Sequence, residues 1–123
     1  MNMLVLLAVG LGGGFGTMAR LGISIWVFSI LPQQAYLATL AANILGAALI
    51  GYLAARKLPS LWQAFLMAGF CGGFTTFSLF SLEVVRLWGT SALHGAGYAI
   101  ASLVLWTVAV CVGNGLGRAR AAK

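Results

Sequence analysis

Four apolar runs, at about residues 3–30, 36–55, 61–88 and 93–116, fill this 123-residue chain almost from end to end. Each is long enough to cross a bilayer as a helix, which takes roughly 20 predominantly apolar residues. The breaks between them carry turn chemistry: Pro32 with Gln33 and Gln34, then Arg56-Lys57 with Pro59, then Gly89-Thr90-Ser91. Only 7% of residues are charged, against about a quarter in soluble domains. The expectation is an all-α integral membrane protein with four transmembrane helices, residues 1–123 forming a single membrane domain. Trp26, Trp62 and Trp88 fall near run ends, as an interfacial aromatic belt requires. The opening MNMLVLLAVGLGGG lacks the basic region of a cleaved signal, so it reads as the start of the first span.

A net charge of +6 raises the question of nucleic acid. The basic residues sit along or beside apolar runs and form no phosphate-tracking stripe, so a nucleic-acid partner is excluded and membrane lipid is the partner that the chain faces. Their distribution instead reports topology. With four spans, Arg56, Lys57, Arg118, Arg120 and Lys123 share one side, while Arg86 is the one basic residue assigned to the other. The positive-inside rule then places both termini in the cytoplasm. Cys71 and Cys111 stand forty residues apart in apolar surroundings, which fits small buried hydrophobes better than a metal or disulfide pair.

The third run contains GFCGGFTTFSLFSLE, Gly69 to Glu83. Glycine in a helix interior costs about 1 kcal/mol relative to alanine. Non-helical backbone at membrane depth survives only inside protein or against a polar cavity. The stretch is therefore a helix-packing patch or a helix broken around an ion. Gly12/Gly16, Gly69/Gly73 and Gly113/Gly117 have the GxxxG spacing that lets membrane helices approach closely.

Polar groups inside the spans need partners or a water-filled path. They are Arg20, Thr39, Asn43, the Thr75-Thr76-Ser78-Ser81 run, Glu83, Tyr98 and Ser102. Thr39 with Asn43, and Tyr98 with Ser102, are four apart and share a helix face. Either they bond between helices or they line a path. Phe74, Phe77 and Phe80 recur every three residues, so part of that row faces one direction if the segment is helical. Aromatic ring edges are positive, and Asn, Ser, Thr and Tyr supply donors, so together they suit a small anion without trapping it. With His94, placed in the turn before the fourth run, as the one histidine and Glu83 as the one acid, no nucleophile–base constellation can be assembled. Permeation is a better class than enzymatic chemistry.

GGGFGTMAR (Gly12 to Arg20), ATLAANILGAALIG (Ala38 to Gly51) and GFCGGFTTFSLFSLE together resemble the Fluc (CrcB) family of small bacterial fluoride channels, over essentially the whole chain. The resemblance implies a four-helix subunit with its third helix broken mid-membrane, in an antiparallel, dual-topology dimer with fluoride pores. It implies passive fluoride efflux across the bacterial cell membrane, relieving toxicity. It also implies a structural sodium ion at the dimer centre, held by main-chain carbonyls that match Gly72 and Thr75. Phe77 and Phe80 match the pore phenylalanines, and Asn43 and Ser78 match pore-lining polar residues, with Thr39 on the same face as Asn43. Tyr98 and Ser102 match a polar track on the fourth helix. Arg20 and Glu83 are read as structural or vestibular, the guanidinium finding helix-end carbonyls or Glu83.

Phe74 and Trp106 depart from the family pattern, Trp106 standing where a smaller hydroxyl would continue the fourth-helix track. The five-to-one charge asymmetry departs from balanced dual topology and brings in an inverted paralogue as an alternative to the homodimer. Two other classes share four spans: a proton-coupled exporter of cationic compounds, which would use Glu83 as its exchange carboxylate, and a structural subunit with no transport role.

Overall fold

A computed structural model describes residues 2–122. Met1 and Lys123, the last charge of the basic tail, lie outside the described residues. The elements are α1 (Met3–Ile30), α2 (Tyr36–Ala54), α3 (60–74), α4 (Phe77–Thr90) and α5 (Ala92–Ala121). Four stretches are long and apolar enough to cross a membrane: α1, α2, the stretch Ser60–Thr90 that contains α3 and α4, and α5. The chain is a multi-pass membrane protein.

Local chemistry sets the ends. Asn2 caps α1 by accepting from the Leu4 N–H at 3.2 Å, and α1 stops at the residue before Pro32, where helical backbone is disfavoured. Ser91 is extended (φ −160°, ψ 123°) and serves two helices. Its N–H donates to the Leu87 carbonyl at 2.9 Å, closing α4, and its Oγ accepts from the His94 N–H at 3.4 Å, opening α5. The expected three-residue turn is thus one residue: Gly89 and Thr90 are helical, and His94 belongs to the first turn of α5. One hydroxyl residue suffices because it satisfies groups on both ends.

The fourth helix also outruns its expected limit at residue 116 and continues to Ala121. Hydropathy marks where the apolar span stops, not where backbone hydrogen bonding stops. Gly117 still packs against the Tyr52 carbonyl and the Ala55 Cβ, and Arg118 and Arg120 in the last turn suit the negative end of the helix dipole.

Two glycine seams hold the helices together. In the first, Gly12 and Gly16 of α1 lie against the backbone of Phe65, Phe70 and Phe74, while Gly69 and Gly73 of α3 lie against Val9, Gly12 and Gly13. A Cβ at any of these four would overlap a backbone carbonyl. Residues Ala64–Cys71, which supply much of the α3 side, are wound as a π-helix. The second seam joins α2 and α5: Gly51 meets Val110, Gly113 meets Ala48, and Gly117 meets Tyr52. Close backbone approach is how membrane helices gain attraction when lipid offers no hydrophobic contrast. Large apolar side chains such as Leu4, Leu11, Ile25, Leu93 and Leu116 point outward, and Trp26, Trp62 and Trp88 are exposed near the ends of their spans.

Candidate functional site

Helical backbone stops after Phe74 and resumes at Phe77, leaving Thr75 (φ −86°, ψ 158°) and Thr76 (φ −150°, ψ 121°) extended. The glycines are not the interruption. Gly72 and Gly73 are both helical, and no glycine has positive φ. Gly73 lacks a side chain so that α3 can touch Gly13 of α1. The residues that leave the helix are β-branched threonines, which suit extended backbone and whose hydroxyls cap what they interrupt. Thr75 Oγ1 and Thr75 N–H both donate to the Cys71 carbonyl, at 2.9 and 3.0 Å. Thr76 Oγ1 accepts from the Leu79 N–H at 3.3 Å and caps α4.

Asn43 completes the interruption from α2. Its Nδ2 donates to the Thr76 carbonyl at 2.9 Å, and its Oδ1 accepts from the Thr76 N–H at 2.8 Å. The side-chain amide thus pairs with one extended residue as a neighbouring strand would, and it does so while buried. Gly46, one turn on, leaves the room that the Thr75 methyl group fills. These bonds have a consequence for two carbonyls. In a continuous helix the Thr76 N–H would serve Gly72 and the Leu79 N–H would serve Thr75. Here the first goes to Asn43 and the second to the Thr76 hydroxyl.

Arg20 attends to the other end. Its Nε and the Thr17 hydroxyl both donate to the Gly73 carbonyl, each at 3.3 Å. A guanidinium on a terminal carbonyl of α3 is favourable to the helix dipole. Of the two acceptors expected for Arg20, the structure places it on the helix-end carbonyl. Glu83 is held by hydroxyls instead. Its Oε1 accepts from Thr39 Oγ1 and its Oε2 from the Tyr98 hydroxyl, both at 2.7 Å; the Tyr36 carbonyl lies 3.3 Å from the same hydroxyl. So Thr39, Glu83 and Tyr98 bind α2, α4 and α5 together.

The phenylalanine row does not act as one face. Phe74 precedes the interruption and stacks on Phe70, with centroids 5.6 Å apart and 14° between planes. Phe77 and Phe80 share α4, with centroids 5.3 Å apart, but Phe80 is buried and Phe77 is 68% exposed. Phe80 meets Trp106 edge-on at 4.7 Å and Tyr98 at 5.6 Å. Ser102 is fully buried. Ser78 is exposed, its Oγ 3.2 Å from Thr76 Oγ1. A cleft open to one side of the chain is lined by Asn43, Gly72, Thr75, Thr76, Phe77 and Trp106. Gly72 and Thr75, whose carbonyls are the expected cation ligands, thus line one cleft with Asn43 and Phe77 of the expected anion path.

By sequence Thr76 is one member of a polar run with no role of its own, and Gly46 has none. The TT pair beside Phe was the signal for Thr76, and the spacing of Gly46 three residues after Asn43 was the signal for the second.

The family model described as "CrcB-like protein, Camphor Resistance (CrcB)" matches residues 7–114. The chain belongs to the CrcB family. The match includes every residue of the interruption and its partners, from Arg20 to Trp106. Among curated relatives, the chain is similar to the fluoride-specific ion channel FluC of Azotobacter vinelandii, 48% identical over 68% of this chain and 71% of the relative. It is 43% identical to the protein of that name from Pseudomonas fluorescens (strain Pf0-1), over 80% and 85%. The one from Escherichia fergusonii is 38% identical, over 89% and 98%. Membership of this channel family, and not of an enzyme family, agrees with the absence of a catalytic constellation argued from the sequence.

Proposed function

We propose that the protein is a fluoride-selective channel that lets fluoride leave the cell passively and so limits its toxicity. The observation that carries the reading is the Asn43-clamped interruption, followed one turn later by Phe80 with Tyr98 against its ring, in a chain whose curated relatives are named fluoride-specific ion channels. Neutral donors and ring edges attract a small anion without the fixed charge that would hold it, which is what conduction requires. In this reading Asn43, Ser78, Thr39, Tyr98, Ser102, Phe77 and Phe80 line the path. Exposed Phe77 and Ser78 belong to the face on which a second subunit completes it. Arg20 fixes the end of α3, and Glu83 ties Thr39 and Tyr98 into the wall.

The Gly72 and Thr75 carbonyls fit a structural sodium ion. Each has lost the donor that a continuous helix would give it, and hard cations take oxygen ligands. When bound, the ion supplies fixed positive charge and joins subunits, since one chain offers too few of these carbonyls to surround it. The interruption then lies at mid-membrane, at the centre of an antiparallel homodimer in the bacterial plasma membrane. The five-to-one placement of basic residues makes an inverted paralogue the alternative partner. Labelling a cysteine near the C-terminus from each side of intact cells separates them: labelling from both sides supports the homodimer, from one side the paralogue.

Purified protein in liposomes tests the function itself. Fluoride efflux without proton coupling, with chloride retained, is the expected result. Equal efflux of both anions, or none of fluoride, would refute it.

A further inference from the structure

The first turns of α1 and α3 enclose a groove that shares no residue with the cleft at the interruption. Leu4, Leu7 and Leu11 of α1 and Leu61, Trp62 and Phe65 of α3 line it, and buried Ala8 is its small floor. Its volume is about 380 Å³. Every lining side chain is apolar apart from the Trp62 indole N–H. The three leucines of α1, Leu61 and Trp62 are exposed, so the groove opens outward. At about 1.5 Å per residue, Leu4 to Leu11 covers roughly 10 Å, about two thirds of one leaflet of a ~30 Å hydrocarbon core.

Charge at the mouth of the groove has one sign. Arg56 and Lys57 lead into α3, Lys57 four residues before Leu61, and so stand at the end of the bundle where the groove begins. The last turn of α5 comes to the same end: Gly117 packs on Tyr52 and Ala55, which brings Arg118 and Arg120 with it. Glu83, the one acid of the chain, is on α4 beyond the interruption. Arg56 is drawn back over the Tyr52 ring, 5.6 Å from its centroid, whereas Lys57 is exposed. A hydrocarbon groove below uncompensated positive charge matches a molecule with an apolar tail and an anionic head. A partner helix is matched less well. Helices in lipid are held by small residues and polar bonds, and of these the groove offers Ala8 and one indole N–H.

We infer that this groove is a binding site for an anionic phospholipid, one acyl chain lying between α1 and α3 and the phosphate-bearing head meeting Lys57. Juxtamembrane Lys and Arg attract anionic headgroups, and the groove gives the chain beneath them a fixed place. The Trp62 indole, at the level where aromatic side chains meet headgroups, is the one donor that the lining adds. The basic residues that report topology thus also recognise lipid.

Native mass spectrometry of the full-length protein in detergent tests this, with dioleoylphosphatidylglycerol and dioleoylphosphatidylcholine added separately and inorganic phosphate as competitor. The phosphatidylglycerol should bind at least about fivefold more tightly than its zwitterionic counterpart. Lys57→Gln should remove about that factor, the effect of one basic residue beside an anionic headgroup. Arg86→Gln, the same charge change on α4, should leave binding unchanged. Leu7→Trp, at an exposed position, fills the groove and should bring phosphatidylglycerol down to the level of phosphatidylcholine; Leu11→Trp does the same should the first variant not fold. Equal binding of the two lipids, equal losses from Lys57→Gln and Arg86→Gln, or binding undiminished in a filled groove would each overturn the inference. So would displacement of the lipid by inorganic phosphate, which would make the site one for the head alone. A Leu7→Trp chain that loses a subunit would put a second copy of the chain in the groove and overturn it as well.

Discussion

α3 meets its neighbour through backbone, and α4 meets its neighbours through side chains. The first half of the third span sets Gly69 and Gly73 against the main chain of α1. The second half reaches α2 and α5 through hydroxyls, a carboxylate and aromatic rings: Thr76 with Asn43, Glu83 with Thr39 and Tyr98, Phe80 with Trp106. Glycine contact fixes position and offers a solute no chemistry. Polar contact fixes position less tightly and leaves groups that a solute can use. The two threonines between the halves let one span do both.

The contrast breaks first at the seam. Gly16→Leu forces a side chain into the Phe70 carbonyl and the Phe74 amide. Backbone cannot swing aside as a side chain can, so the loss should be about 3 kcal/mol or more, at the top of the usual range for overpacking. Thermal unfolding in detergent should come at lower temperature, with size-exclusion profiles showing aggregation. Next comes the clamp. Asn43→Ala strands the half-buried Thr76 amide and carbonyl, each costing up to about 1–3 kcal/mol, the range for a fully buried unpaired group. Unfolding should again come earlier, and fluoride efflux should fall in protein that still folds.

Phe80→Ile is the side-chain counterpart. It keeps much of the apolar volume but removes the ring edge beside Tyr98 and Trp106. Fluoride efflux should drop at least about tenfold, equivalent to about 1.4 kcal/mol, with the proposed dimer left intact by cross-linking. Unchanged efflux would remove ring edges from the account. The smallest effect belongs to Gly14→Ala, since nothing lies within 4 Å of a Cβ there. Helix propensity alone then acts, and stability should hold or rise by up to about 1 kcal/mol.

The spans and the three GxxxG pairs were legible because hydropathy and residue spacing are local signals carried by one helix; which helices those glycines join, and the part that Gly51 of α2 plays, were not. Nor was the location of the interruption. Gly72–Gly73 is the weakest helical dipeptide of the third run, yet both stay helical because α1 packs on Gly73 and the π-wound turn leads directly into them. Thr75 and Thr76 leave the helix because Asn43, thirty-three residues before Thr76, supplies the bonds that make extended backbone tolerable there. That pairing joins two helices and has no trace in either segment alone. Asn43, Glu83 and Tyr98 were legible as costly polar residues at membrane depth; which of them would find one another was not. Trp106 reads in the sequence as a break in a row of hydroxyls, and nothing local to it says that its Nε1 atom is buried with no hydrogen-bond partner among the described residues.

The central claim is that the interruption divides the third span between a fixed cation on the Gly72 and Thr75 carbonyls and a moving anion beside Phe80. Fluoride efflux from liposomes, measured with protein prepared in sodium and with protein dialysed exhaustively against N-methylglucamine, tests it most directly. The account predicts efflux from the first, loss of efflux from the second, and recovery when sodium is returned. Undiminished efflux without sodium would contradict it.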